Sequence, residues 1–476
     1  MYTKRILKYI ATSCIALMFT ACVPSLVPKS ENKNTPVSYN QVRDTVNTAK
    51  INWKEFFRDP DLIVLIDTAL RNNQDLNIIL QEINIANNEV RARKGQYLPF
   101  VDITAGAGVE KVARYTRSGS VEANSKIAPD QEFPDPLPDF MVAATVSWEV
   151  DIWKKLRNAK KSAVFSYLST IEGKNFMVTN MITEIAIAYN ELMAFDNQLQ
   201  ILKNNIEIQQ DALAIVKLQK SVARVTELAV RRFEAEVLKN QSRQYHIQQN
   251  IVETENRINF LLGRFPQPIA RNSQTFIDLK PDTIQAGIPV QLLQNRTDIR
   301  QAELALAAAK LDVKVAKAYF YPSLNISGAI GLDAFKLSYL ATKPESMFYA
   351  IGAGLTGPMI NRNAIKANYY SANARQIQAV YNYQQTILRA YLEVANQLSN
   401  ISNMKKSLDL RSKQVQALTE SIDISTRLFK SARADYMEVL LTQRDALESK
   451  FEFVETKKQR MNAMVNIYRA LGGGWN

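Results

Sequence analysis

Histidine and cysteine are nearly absent from this chain. Among 476 residues there is one histidine, His246, and there are two cysteines, Cys14 and Cys22. No Ser/His/Asp set, metal-ligand cluster or phosphate-cradling loop accompanies His246, so nucleophilic, zinc and nucleotide chemistry lack their usual residues. His246 falls inside a helical pattern and reads as a surface residue. The twelve methionines form no ladder of soft ligands, and neither a metal nor a cofactor is expected. Glycine (15) and proline (16) are sparse too. Where both are missing, long unbroken helices are allowed. The hydrophobic share of 46% and charged share of 22% exclude a disordered chain. Acids are outnumbered, giving a formal net charge of +13. That balance suits an anionic surface, nucleic acid or a solvated basic face; no recognised nucleic-acid motif accompanies it, and no nucleic-acid partner is expected.

The first residues decide the compartment. Lys4, Arg5 and Lys8 precede a mostly apolar run, Tyr9–Phe19, of signal-peptide length and too short to span a bilayer permanently. Phe19-Thr20-Ala21-Cys22 follows. This resembles a bacterial lipoprotein signal, with residues 1–21 as leader and Cys22 as the lipidated first residue, although Phe19 stands where Leu is usual. An ordinary signal peptide cut nearby gives the same pattern with Cys22 incidental. Loss of the leader removes Cys14 and three cations, leaving +13 − 3 = +10 and no partner for a disulfide. Residues 22–52, rich in Pro, Asn, Lys, Ser and Thr, read as a lipidated, extended tether.

What the chain has in abundance is itself. Asn72–Gly108 and Asn295–Gly331 align without a gap at an offset of 298 − 75 = 223, pairing Asn72 with Asn295, Pro99 with Pro322 and Gly108 with Gly331. Each copy reads as a helix that hands the chain through Pro to a strand, and two copies imply a duplicated architecture. After Pro99, Val101, Ile103, Ala105, Ala107 and Val109 alternate with polar or small residues. The run Phe140 to Val150 alternates likewise, as do Leu324 to Leu332 and Tyr349 to Leu355. The length and period match membrane β-strands, though the alternation by itself favours the half-buried strands of a soluble sheet. From Trp153 to Leu218 there is no Pro and only Gly173; Met181, Ile185, Ala188, Leu192, Phe195, Leu199, Leu202 and Ile206 step by four and three. That is a coiled-coil seam. Ser221–Thr226 interrupts it and a helix returns to Leu262; Ser431–Asp435 interrupts the second long helix, which returns to Leu471.

The expected layout is repeat 1 at 53–265, with a β-hairpin at about 99–152 and long helices at about 153–262. A linker follows at 266–290. Repeat 2 spans 291–476, with a β-hairpin at about 322–358 and long helices at about 360–471. Four strands are too few to close a membrane barrel. Three copies would supply twelve with no open edge.

The chain resembles the outer-membrane efflux protein family, the TolC-like exit ducts, and within it the lipid-anchored branch of tripartite efflux systems. The resemblance covers nearly everything after the leader. Its carriers are Trp53, Phe56-Phe57, Asp59-Pro60 and Leu62; Leu70, Asn73 and Asp75-Leu76; and Trp148-Glu149-Val150-Asp151-Ile152-Trp153. Further along they are Arg296-Thr297-Asp298-Ile299 with Glu303, Tyr319-Phe320-Tyr321-Pro322-Ser323-Leu324, Asp435-Tyr436-Met437-Glu438-Val439-Leu440 and Leu471-Gly472-Gly473-Gly474-Trp475.

The resemblance implies a mainly α protein with membrane β. It would be a homotrimer whose 12-stranded β-barrel sits in outer-membrane lipid and continues into a periplasmic α-helical barrel. Its helical tips would face a periplasmic adaptor and, behind it, an inner-membrane pump of the resistance-nodulation-division type. It would conduct small molecules such as drugs passively and catalyse nothing. Pro99 and Pro322 would be the helix-to-strand joints. The tips would comprise Ser221, Ala223, Arg224 and Thr226, and Ser431, Ala432, Arg433 and Asp435. Relatives usually carry Gly-Leu where this chain has Ala-Arg, so its tip turn is expected to be built differently, since Ala disfavours positive φ. Thr297 stands where relatives often have Pro. A duct for type I protein secretion or metal-ion efflux is the nearest alternative, and a periplasmic coiled-coil structural lipoprotein is one from another class.

Overall fold

In the computed structural model, the described residues are 23–39, 46–128, 131–279, 285–431 and 433–475; Cys22 and Ala432 lie outside them. In chain order the elements are α1 (Trp53–Phe56), α2 (Pro60–Asn72), α3 (Gln74–Gln96), β1 (Phe100–Glu110), α4 (Arg117–Asn124), β2 (Lys126–Ala128), β3 (Gln131–Glu132), β4 (Leu137–Val150), α5 (Lys155–Ser221) and α6 (Glu227–Leu261). Then come α7 (Leu292–Asn295), α8 (Thr297–Ala318), β5 (Ser323–Ala334), β6 (Met347–Thr356), α9 (Asn363–Lys430) and α10 (Tyr436–Ala470). The loop between β1 and β4, read from sequence as polar and Pro-rich, also holds α4 and the small β2/β3 ribbon.

Two compact units form, each with pieces of both repeats. The first takes the described residues up to Ser30 with Asn84–Tyr167 and Leu304–Val380; the second takes those of Glu31–Ile83, Leu168–Glu303 and Tyr381–Asn476. The first unit contains one antiparallel sheet in the order β1-β4-β5-β6. The second is built on the four-three seam of α5. Met181, Ile185, Ala188 and Leu192 are all 5% exposed or less. They pack with Trp53, Phe57, Leu62, Ile66 and Ala69 from the start of the fold and with Ile258, Val454 and Tyr468 from α6 and α10. Asp59 caps α2, accepting from the amides of Asp61 and Leu62 at 2.9 and 3.3 Å, with Pro60 in the first turn. The Tyr189 hydroxyl donates to the same carboxylate at 3.0 Å.

The apolar spacing that runs from Leu62 to Val90 suggests one helix, but the chain breaks it at Asn73. Asn73 has ψ 131°; its Oδ1 accepts from the Leu76 amide at 3.0 Å and its Nδ2 donates to the Leu261 carbonyl at 2.8 Å. A residue that caps the next helix must leave the previous one. The second repeat breaks at the matching Arg296, with ψ 119°. Its Nη1 donates to the Ala470 carbonyl at 3.0 Å. Leu261 and Ala470 differ by 209, the offset of the return helices. Both repeats therefore satisfy the same orphan carbonyl at a helix end, once with an amide and once with a guanidinium. Beside it, α6 and α10 close in the same left-handed turn. Gly263 (φ 66°) and Gly472 (φ 92°) donate three residues back, and a Cβ there would lie 2.5 Å from the Asn72 carbonyl oxygen or 2.6 Å from that of Asn295. Only glycine fits.

Arg296 is 4% exposed. Two of its nitrogens grip Asp298 at 2.9 and 2.6 Å, and Nη1 also meets Glu393 at 2.7 Å. Burial works to lower its pKa, and the Asp298 and Glu393 carboxylates outweigh that, so it is held above the ordinary guanidinium value. The described part of the tether expected at 22–52 is not free. In the first unit Val23 and Leu26 pack on Ala316, Phe320, Tyr369 and Ala372; in the second, Lys33 pairs with Glu303 at 2.6 Å and Tyr39 stacks on Tyr391 at 5.4 Å.

Removing one partner of a buried, paired charge costs about 3–5 kcal/mol, whereas a lost neutral hydrogen bond costs about 1 kcal/mol. Arg296→Ala is therefore expected to lower the thermal midpoint of the helical circular dichroism signal well below that of Asn73→Ala. Equal shifts would show that the two pins are energetically alike.

Candidate functional site

The four strands have 11, 14, 12 and 10 residues in the order β1, β4, β5, β6, and a bilayer asks for about 9–11 in a tilted strand. Residues directly opposite each other share a face, so the register sorts every side chain. Val101, Ile103, Ala105, Ala107 and Val109 stand opposite Val146, Ala144, Val142, Phe140 and Pro138. Val142, Ala144, Val146, Trp148 and Val150 stand opposite Leu332, Ile330, Gly328, Ile326 and Leu324. Ile326, Gly328, Ile330 and Leu332 meet Ala353, Ile351, Tyr349 and Met347. One face is thus apolar from edge to edge. The other carries Asp102, Thr104, Thr145, Ser147, Asn325, Ser327 and glycines. Within the chain the apolar face is uncovered: Ile103, Tyr349 and Ile351 are 83–85% exposed. Among the described residues the edges β1 and β6 each lack a partner on one side. No helix among the described residues is long and apolar enough to cross a membrane.

Pro99 and Pro322 lie where sequence reasoning put the joints, immediately before β1 and β5. Sequence reasoning missed what holds them. The Trp148 indole donates to the Tyr97 carbonyl at 3.1 Å, and the Trp153 indole donates to the Pro322 carbonyl at 2.7 Å while stacking on Tyr321 at 4.7 Å. The WEVDIW run was noticed as a motif, but its chemistry is visible only in three dimensions. Asp151, 7% exposed, starts α5. It accepts from the amides of Leu156 and Arg157 at 3.0 and 2.9 Å and from the Arg157 guanidinium at 3.1 Å. Lys154 turns the chain at φ 59°, and Asn361 does so at φ 53° before α9.

At the far ends of the helical pairs, α5 stops at Ser221 and α6 starts at Glu227; α9 stops at Lys430 and α10 starts at Tyr436. The expectation of a differently built turn is overturned at Ala223. It adopts φ 56° and closes the two bonds of a glycine-type cap, Ala223 to Lys220 at 3.0 Å and Arg224 to Gln219 at 2.9 Å. The surrounding bonds outweigh the cost of a left-handed alanine, about 1–2 kcal/mol. Arg433 repeats the outer bond, to Leu428 at 2.8 Å. Ser221, Arg224, Thr226, Ser431, Arg433 and Asp435 are exposed. Beneath them Val216, Val230 and Phe233 pack with Phe429, Tyr436 and Leu440, so the two tips form one end.

His246 is exposed on α6, and among the described residues no group of three or more His, Cys, Asp or Glu is placed to hold a metal. The sequence profile described as outer membrane efflux protein matches residues 65–264 and 288–473, one stretch in each repeat. The chain belongs to this family. It is 26% identical over 423 residues to the pyoverdine export outer membrane protein OpmQ of Pseudomonas aeruginosa, covering 89% of this chain and 87% of that one. To the cation efflux system protein CusC of Escherichia coli it is 27% identical over 473 residues, covering 97% and 98%. The solvent efflux pump outer membrane protein SrpC of Pseudomonas putida is 26% identical over 475 residues, with 97% of each chain covered. A membrane protein from Pseudomonas aeruginosa shares the fold with a TM-score of 0.84 at 22% identity, covering 94% and 99%; CusC does so at 0.81 and 23%, covering 95% and 99%. The protein is an outer-membrane efflux channel.

Losing an N-cap costs about 1 kcal/mol and the lost ion pair adds to it. Asp151→Ala should therefore speed hydrogen exchange at the Leu156 and Arg157 amides about tenfold, and Asp151→Asn less. Unchanged exchange would show that Asp151 does not hold the joint.

Proposed function

We propose that three copies of this chain close into a twelve-stranded barrel, and that the duct so formed receives small molecules from an inner-membrane pump through a periplasmic adaptor. The observation that carries this reading is the sheet, apolar across one whole face and unpaired along both edges. In lipid an unpaired backbone group costs several kcal/mol, so such a sheet demands neighbours on both sides. The helices support it. Beyond Val394 the only buried residue of α9 is Ser425, although Leu398, Ile401, Leu408, Val415, Leu418 and Ile422 continue an apolar spacing. A neighbouring copy supplies what covers them.

The cargo is what the pump delivers. Relatives are named for pyoverdine, cations and solvents, so one duct architecture serves unrelated solutes, and drug-sized molecules belong to that range. Nothing is catalysed and no cofactor is needed; the covalent addition is lipid on Cys22, and Val23 and Leu26, packed on Phe320, hold the start of the strap beside the membrane joint. Arg224 and Arg433 present charge-assisted donors to acidic side chains or carbonyls of the adaptor.

Unheated protein is expected to run as a three-chain band in SDS and to give conducting steps in planar bilayers; a monomer that conducts nothing would refute the trimeric duct. Cys22→Ala should abolish palmitate labelling while the protein stays in the outer membrane, held by its barrel.

Charge reversal at both Arg224 and Arg433 should remove adaptor cross-linking and leave the three-chain band intact. Undiminished cross-linking would assign these arginines to solvent.

A further inference from the structure

The basic charge of the chain gathers where the sheet meets its helices. β1 starts, β4 ends, β5 starts and β6 ends at one end of the sheet, since Phe100 stands opposite Ser147, Val150 opposite Leu324 and Ser323 opposite Thr356. The segments that lead into or out of that end are 91–98, 151–161, 314–321 and 361–366. Together they hold twelve Lys and Arg and a single acid, Asp151, and so carry most of the formal net charge of +13. Arg157 engages that acid and Lys155 reaches Glu149. Arg91, Lys94, Lys154, Lys161, Lys314 and Lys317 are exposed, and among the described residues no acid pairs with any of them. Like charges one turn apart destabilise a helix. Arg91 and Lys94 on α3 and Lys314 and Lys317 on α8 stand so, and nothing in the chain offsets them. Two further observations give the level of this collar a lipid character. Trp153 and Tyr319 are exposed within it, and such rings favour the headgroup layer of a bilayer. Val23 and Leu26 pack on Phe320, so the residue that follows Cys22 is held in the same layer.

We infer that this collar is a binding surface for anionic phospholipid headgroups, in the leaflet on the helical side of the sheet. This rests on the barrel proposed above, which puts the sheet in lipid and its helical end at a headgroup layer. Lipid phosphates accept charge-assisted hydrogen bonds from Lys and Arg, and clustered basic residues beside a membrane-spanning element recruit anionic lipid. The exposed rings and Ile360, 90% exposed, take the apolar side of the same boundary. A ring of bound headgroups then fixes the depth at which the barrel sits and offsets the mutual repulsion of the collar.

The test reconstitutes the full-length protein in vesicles of phosphatidylcholine with a minor share of phosphatidylglycerol. The protein is then extracted with its surrounding lipid by a styrene–maleic acid copolymer. At low salt the extracted lipid is expected to be enriched about threefold in phosphatidylglycerol over the vesicle, and less at high salt, which screens exposed charge. The variant Arg91→Gln, Lys94→Gln, Lys161→Gln, Lys314→Gln, Lys317→Gln, confirmed as a three-chain band in SDS, should extract lipid at the ratio of the vesicle. No enrichment by the wild-type protein, or undiminished enrichment by the variant, would overturn the inference. A variant that keeps its phosphatidylglycerol but changes the conductance would place these cations on the lumen of the duct and overturn it too. Protein that enters no vesicle would overturn the barrel itself, a distinct result.

Discussion

Unpaired backbone hydrogen-bonding groups in a membrane are the constraint on which this fold depends. A four-stranded sheet with an uncovered apolar face cannot rest in water, and with two open edges it cannot rest in lipid. One chain solves half the problem, joining β4 to β5 so that hairpins from the two repeats become one sheet. Association must solve the rest. The same incompleteness recurs in the helices, where α5 buries its seam within the chain and most of the second half of α9 does not.

The joints follow from that constraint. A strand must pass into a long helix, and the change of backbone geometry falls within a few residues. Proline ends the incoming helix, two indole N–H groups bind carbonyls that neither helix nor strand satisfies, and Asp151 starts the outgoing helix. Trp153 donates to Pro322, so the joint of one repeat is tied to that of the other. Fixing one fixes the orientation of both hairpins.

Periodicity made most of this legible from residues alone. The gapless offset of 223, the two-residue alternation and the four-three seams located strands, long helices and tip turns to within a few positions, because each pattern is the direct imprint of a buried or lipid-facing side. Helix starts near Asn72 and Asn295 were legible from the repeat, but what pins the breaks at Asn73 and Arg296 was not. Apolar spacing runs straight through them, and what decides against the helix is a carbonyl 188 residues away in one case and 174 in the other. Ala223 was misjudged for a related reason. Propensity disfavours a left-handed alanine, but the cap bonds and the apolar packing beneath the tips set the turn. Helix α4 within the Pro-rich loop is too short to leave a period.

The repeats agree in backbone and differ in chemistry. Gly263 and Gly472 make the same turn and Lys154 and Asn361 the same bend, yet Asn73 faces Arg296 across the duplication and Asp151 faces Pro358 at the offset of the bends, 361 − 154 = 207. Each half must form a hairpin and a helical pair, and that demand falls on the backbone. Side chains are freed from that demand wherever they face only their own chain. The buried guanidinium of Arg296 binds α8, α9 and the end of α10 at one point, while Asn73 joins only α3 and α6. The second repeat, whose long helix has less packing within the chain, has the stronger polar pin, and that is where an internal tie is most needed before a neighbour arrives.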